Sequence, residues 1–297
     1  IILNSNGEEQ VMLLGAGESM GKEVYAKFQS VFAGKIGKID NYECNIILKE
    51  NAVPRIHKLR GIPLSIRKEV SEELQKLVEA GIIEQVETSE WVSPIVVARK
   101  SNGKIRMCID LRHLNNNICV DQFPLPKISE MLSTIKGVHL FSKLDLSSAY
   151  HQIPLNVRCR NLTTFITHDG CFRFQRMPFG LASAAAIFQR MMSKLFGHLD
   201  GVYCFQDDIL ICGKDDVEHK ERLYQVLNIL SENGLTVEHS KCNFAEKSVV
   251  YLGHVLSGEG VKPKPSLVQA ISDRHLHLQA RMIYDHFSVR RNFIQNL

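Results

Sequence analysis

The sequence predicts an α+β fold, an antiparallel sheet backed by helices, and three observations carry that reading. Short runs of β-branched and aromatic residues border the acidic positions Asp145 and Asp207-Asp208 and read as strands meeting at turns. Three stretches, 64–80, 183–198 and 219–233, repeat apolar residues at helical spacing. No βαβ repeat links them, so hairpins rather than a parallel sheet surround the acids.

In chain order, Val11-Met-Leu-Leu-Gly15-Ala-Gly17-Glu-Ser-Met-Gly21 has the outline of a strand entering a glycine-rich dinucleotide turn, with Asp40 further on. An oxidoreductase would use such a turn, but the glycine spacing is one residue too long and no βαβ unit follows. Helix 64–80 places Ile66, Val70, Leu74, Leu77 and Val78 on one face and stops at Gly81. Ala98 to Arg112 reads as a basic hairpin turning at Asn102-Gly103. His139 to Leu144 is an apolar strand ending at Asp145. In helix 183–198, Ile187, Met191, Met192 and Leu195 form a core stripe. Gly201 to Gly213 gives two strands with Asp207-Asp208 at the bend. Helix 219–233 carries Leu223, Val226, Leu227 and Leu230 and ends at Gly234, while Asp215-Asp216 read as ordinary caps of its first turn.

Asp207-Asp208 sit in apolar surroundings, where ionised groups cost several kcal/mol unless a cation compensates them. A divalent metal is the natural compensation, and Asp145, at another strand's end, supplies a third carboxylate. Such a cluster can hold two Mg²⁺ ions about 3.5–4 Å apart, which serve an in-line phosphoryl displacement. No covalent protein intermediate is then needed.

Composition narrows the class. A chain of 297 residues, 44% hydrophobic, can bury a sizeable core. Net charge +4 is a mild bias compatible with a polyanionic partner. Arg55, Lys58, Arg60, Arg67 and Lys68, followed by the Arg99 to Arg112 group, outline a positive track for nucleic acid. The eight cysteines show no Cys-x-x-Cys spacing and read as reduced core thiols of an intracellular protein. His275 and His277 lack partnering cysteines, so no zinc module is expected. No apolar run is long enough to span a membrane.

Twelve stretches stand out in chain order: Gly81-Ile-Ile-Glu, Trp91-Val-Ser-Pro-Ile-Val, Arg106-Met-Cys-Ile-Asp-Leu-Arg112, Phe123-Pro-Leu-Pro, Phe141-Ser-Lys-Leu-Asp-Leu, Ala149-Tyr-His-Gln-Ile, Arg176-Met-Pro-Phe-Gly-Leu181, Ile187-Phe-Gln-Arg-Met, Asp207-Asp-Ile-Leu, Gly234-Leu-Thr, Lys241-Cys and Tyr251-Leu-Gly-His254. Together, and in family order, they resemble the reverse transcriptase segment of a Ty3/gypsy-type long-terminal-repeat retrotransposon Pol polyprotein. The resemblance implies a right-hand polymerase with interleaved fingers and palm over 28–264. Residues 1–27 would be an upstream linker, and 265–297 the degenerate start of a truncated thumb and connection region.

It also implies roles. Asp145, Asp207 and Asp208 would be the catalytic metal ligands, with Mg²⁺ as cofactor and Mn²⁺ as substitute. Lys100 and Arg106 would grip the triphosphate of an incoming deoxynucleotide, unless Lys100 belongs to a solvated basic face. Tyr150 would be the steric gate against a 2′-hydroxyl. Phe179 and Gly180 would close over the nucleotide, and Lys241 would approach the departing pyrophosphate. Arg112 would brace the template or make a structural ion pair. Gln189, Phe205, Tyr251, Leu252, Gly253 and His254 would face template and primer.

The expected partners are an RNA or DNA template with its primer, deoxynucleoside triphosphates and the other polyprotein domains: protease, integrase and ribonuclease H. Signatures of these domains are absent from the sequence, and no membrane partner is expected. The expected location is cytoplasmic and particle-associated, with a nuclear step. Three departures stand out: Phe205 where the family has tyrosine, Gln206 where it has a small or aliphatic residue, and Ala185 where proline is common. They motivate a rival reading, a catalytically silent remnant that still binds nucleic acid.

Overall fold

The computed structural model describes residues 2–3, 9–10, 16–99, 103, 105–135 and 137–265. Gly15, Lys100, Asn102, Lys104 and the tail 266–297 lie outside the described residues. A short antiparallel pair, β1 (Ile2–Leu3) and β2 (Glu9–Gln10), precedes α1 (Ala16–Lys27) and α2 (Leu64–Glu79). Next come β3 (Ile83–Val86), β4 (Ser93–Arg99), β5 (Ile105–Ile109), α3 (Arg112–Asn117) and α4 (Ile128–Ser133). β6 (Leu140–Asp145) leads through two 3₁₀ turns, Ala149–Gln152 and Val157–Thr163, to β7 (Phe165–Thr167), β8 (Gly170–Phe174) and α5 (Ala184–Phe196). The chain continues through β9 (Val202–Phe205), β10 (Asp208–Gly213), α6 (Asp216–Glu232), β11 (Asn243–Glu246), β12 (Ser248–Tyr251), β13 (His254–Ser257) and β14 (Gly260–Pro263).

Three larger sheets organise these strands. The palm sheet has the order β11-β6-β10-β9 and is antiparallel throughout; β12-β13-β14 forms a meander, and β3-β8-β7-β4-β5 forms the fingers sheet. Only β4 and β7 pair in parallel in that last sheet. The expected basic hairpin is the β4–β5 pair, with Arg106 opposite Ala98 and Gly103 in the left-handed region at φ +80.

β10 shows why the palm is rigid. Ile209 and Ile211 point into the main core with Leu223, Val226, Leu227 and Leu230 of α6, whereas Leu210 and Cys212 enter a second core with Phe141, Tyr251 and Leu256. Strand alternation thus buries both faces. α6 starts where expected: the Asp215 carboxylate accepts a 2.9 Å hydrogen bond from the Glu218 backbone N–H, and Gly234 ends the helix at φ +66. In α2, Val70 and Leu74 are buried and Leu77 packs partly buried against the core, but Val78, expected on the same face, is 42% exposed.

The glycines once compatible with a dinucleotide turn have another use. Gly17 and Gly21 lie inside α1, where a Cβ on Gly17 would collide with the Phe244 carbonyl and one on Gly21 would press the Phe244 ring at 3.3 Å. They let α1 pack closely on β11, with Val24 fully buried. Among the described residues, no helix is long and apolar enough to cross a membrane.

Candidate active site

Register creates the acidic corner. In the antiparallel β6–β10 pair, Asp145 and Asp208 are direct cross-strand partners. β9 and β10 are joined by the two-residue turn Gln206-Asp207, in which Gln206 adopts φ +55. The Leu146 N–H donates to the Asp207 carbonyl (3.0 Å), fastening the turn after β6 to the β9–β10 turn. Three carboxylates from two turns therefore share one edge of the sheet.

Their electrostatics corrects the expectation of bare buried charge. Lys143 Nζ lies 2.9 Å from Asp208 Oδ1, and Lys241 Nζ lies 3.0 Å from Asp145 Oδ1. Two of the three carboxylates thus have an ammonium partner, and among the described residues no three acidic, His or Cys side chains are drawn together closely enough to surround one point. Asp207 is at the exposed tip of its turn. Partial desolvation raises its carboxyl above the ordinary range, and the charges of Asp208 and Asp145 add to the rise. The Asp145 hydrogen bond in turn raises the Lys241 pKa.

Lys143 was missed in the sequence, although the strand period offered a signal. It sits two residues before Asp145, on the same face of β6, and diagonal to Asp208 across the pair. Gln152 was missed too. Fully buried, it donates to the Ser147 and Thr236 carbonyls and accepts from the Thr236 N–H, each at 2.8 Å, which braces the turn leaving Asp145.

Tyr150 stands on the 3₁₀ turn after Asp145. Its ring lies 5.1 Å from Phe179 and 5.5 Å from Phe188, and its hydroxyl donates to Gln206 Oε1 at 2.8 Å. Burial, with the Asp207 charge second, raises its pKa. Phe179 is 47% exposed beside it. Gly180 takes φ +87 near the end of β5, and Asn115 clasps its loop by donating to the Gly180 carbonyl and accepting from the Ala182 N–H, both at 2.9 Å. Arg106 is exposed on β5.

Other expected contact residues are internal braces. Gln189 is buried, donating to the Cys204 carbonyl (3.0 Å) and accepting from the Gln206 N–H (2.9 Å), so it holds the acidic turn rather than facing a template. Tyr251 is also buried, with its hydroxyl toward the Tyr203 and Asp208 carbonyls at 3.4 and 3.5 Å; it supports the palm from beneath. Leu252, Gly253 and His254, each partly exposed, form the β12–β13 bend, and Phe205 packs against the second core. Arg112 makes the ion-pair alternative: it forks onto Asp110 at 2.8 and 2.6 Å. Arg60 joins them, and Arg99 pairs with Glu69, so part of the proposed basic track is neutralised internally. With the Arg112 bonds as the main cause, Asp110 is held well below the carboxylate range.

Residues 98–256, more than half the chain, match the family described as reverse transcriptase (RNA-dependent DNA polymerase). The chain belongs to the reverse transcriptase family. Relatives include the retrovirus-related Pol polyprotein from transposon 412 of Drosophila melanogaster, 32% identical over 266 residues, covering 86% of this chain and 21% of the relative. The corresponding polyprotein from transposon gypsy, also of Drosophila melanogaster, is 34% identical over 212 residues, covering 69% and 20%. The chain thus spans about a fifth of the length of the curated relatives it matches. In fold it is similar to the foamy viral protease-reverse transcriptase in complex with RNA/DNA hybrid, with TM-score 0.77 at 19% identity over 89% of this chain and 39% of that one. The α+β fingers-and-palm reading therefore holds.

Proposed function

We propose that this reverse transcriptase domain extends a primer with deoxynucleotides on an RNA or DNA template, with chemistry at Asp145, Asp207 and Asp208. The observation that carries the proposal is the register that makes Asp145 and Asp208 cross-strand partners beside Asp207. The corner suits divalent cations: it already draws two ammonium groups, and Asp207 feels both other carboxylates. Asp145, Asp207 and Asp208 are the residues that would hold Mg²⁺, with Mn²⁺ as substitute. When bound, such ions activate a hydroxyl for attack and neutralise a leaving phosphate.

The protein's own groups then have distinct tasks. Arg106, an exposed guanidinium on the fingers hairpin, grips the triphosphate with its fork of donors; Lys100 shares that role in this reading. Lys241, which rests on Asp145, carries the ammonium that would meet the departing pyrophosphate. Tyr150 and Phe179 form the aromatic floor beneath the sugar, where a 2′-hydroxyl would meet the Tyr150 ring. Leu252, Gly253 and His254 lie at the bend proposed to meet the primer. The same reading places protease, integrase and ribonuclease H elsewhere in the polyprotein and the domain itself in a cytoplasmic particle.

The test is extension of oligo(dT) on poly(rA) with Mg²⁺ and with Mn²⁺, comparing this chain with its Asp207→Asn, Asp208→Asn double variant. Extension by the parent and none by the variant supports the proposal. Salt-sensitive binding of primer-template without extension would instead identify a silent nucleic-acid-binding remnant.

A further inference from the structure

The acidic turn contains a connection between two glutamines and the tyrosine gate. Gln206 is a non-glycine residue at φ +55, a left-handed conformation that L side chains rarely adopt. Two hydrogen bonds fix it there. Its N–H donates to the buried Gln189 carboxamide oxygen (2.9 Å), and its own carboxamide oxygen accepts from Tyr150 (2.8 Å). Gln189 is itself fixed, because its Nε2 donates to the Cys204 carbonyl on β9. The chain Cys204–Gln189–Gln206–Tyr150 therefore ties the phenol of the gate to the backbone of the strand pair that carries Asp207 and Asp208.

We propose that Gln206 is a positioning residue for sugar discrimination: its carboxamide latches the Tyr150 hydroxyl and holds the ring where a ribonucleotide would collide. The aromatic neighbours alone do not fix the phenol. Phe179 is tilted 37° to the Tyr150 ring and Phe188 59°, apolar contacts that offer the hydroxyl no hydrogen-bond partner. Among the described residues, the hydrogen bond to Gln206 is what sets the position of its far end. An aliphatic side chain at 206 can fill space but offers the phenol no acceptor. The latch makes the site stricter toward the sugar without touching the nucleotide, so its effect falls on ribonucleotide KM rather than on the rate of deoxynucleotide transfer.

This inference rests on Tyr150 being the gate, and the experiment separates the two. Single-nucleotide incorporation is measured with a deoxynucleotide and a ribonucleotide of the same base for the full chain, Gln206→Met, Tyr150→Phe, their double variant and Tyr150→Ala. Discrimination, the ratio of the two kcat/KM values, should fall about three- to ten-fold in Gln206→Met, chiefly through a lower ribonucleotide KM, the size of one lost neutral hydrogen bond. Tyr150→Phe should match it, and the double variant should lose no more than either single, because all three break one bond. The same ratio, read as Kd for nucleotide bound to a dideoxy-terminated primer-template complex, requires no turnover.

Unchanged discrimination in Gln206→Met alongside lost discrimination in Tyr150→Ala would overturn the latch and leave the gate. Additive losses in the double variant would also overturn it. If Tyr150→Ala itself discriminates normally, the gate assignment fails first and the latch with it.

Discussion

The palm corner and the fingers hairpin both concentrate charge, yet they treat it differently. In the palm, β10 is covered on both faces, and the carboxylates at the ends of β6 and β10 each meet an ammonium: Lys143 of β6 at Asp208, and Lys241 of the turn before β11 at Asp145. In the fingers, Arg106 is exposed on a two-stranded projection, while Arg60 and Arg112 are drawn to Asp110. Charge fixed by register suits chemistry that needs preorganised groups. Charge on a solvated hairpin suits capture of a mobile anion, which arrives with its own solvation and leaves again.

The largest effect should come from the corner. Asp145→Asn is expected to lower the rate of nucleotide transfer by on the order of 10³-fold, the scale of losing a preorganised electrostatic group, with primer-template affinity little changed. Arg106→Ala should instead raise nucleotide KM about ten-fold, as expected for a lost charge-assisted bond, and leave template binding intact. Weakened template binding with normal KM would move Arg106 to the nucleic-acid track. In stability, Leu223→Ala beneath β10 should cost about 2–5 kcal/mol by denaturant melting, because the site is closed on every side. An equal loss from Lys143→Met would contradict the picture of a partly solvated pair, whose removal should cost about 1 kcal/mol.

Much of this was legible locally. Two strands around Asp207-Asp208, the capped helix after Asp215, the hairpin at Gly103 and the alternating core of β10 follow from spacing and turn chemistry within a few residues. What was not legible depends on pairing between distant segments. Gln189 and Tyr251 carry polar groups and match positions associated with nucleic acid, but their partners are backbone carbonyls 15 and more residues away, so they are buried. Lys143 lay within a readable strand period, but its partner depends on the β6–β10 register. Val78 followed the helical stripe, yet in the last turn Leu77 takes the core-facing place and Val78 is exposed. Gln206 reads as a departure from the family, and its partnership with Tyr150 depends on the fold bringing the β9–β10 turn to the turn after Asp145.

A further effect concerns pH. Burial, with Arg176 second, lowers the His151 pKa from 6.5 to about 4. Below the ordinary value the unfolded chain takes up a proton that the folded chain refuses, so stability falls as pH drops from 6.5 toward 4 and levels off below. Asp110 acts further down: its bonds with Arg112 and Arg60 stabilise the fold above about pH 4 and are lost only as pH falls through its depressed folded pKa. His151→Gln should make the first slope shallower, with His57 and His219, both also lowered by burial, keeping the remainder, and leave the second unaltered, measured by urea melts across pH.

The division of labour between palm and fingers is tested most directly by single-turnover incorporation at varied dTTP on oligo(dT)·poly(rA), which separates the maximal transfer rate from nucleotide Kd. The account predicts that Asp145→Asn collapses the rate at near-normal Kd, and that Arg106→Ala weakens Kd at near-normal rate. A transfer rate that survives in Asp145→Asn would contradict the assignment of chemistry to the carboxylate corner.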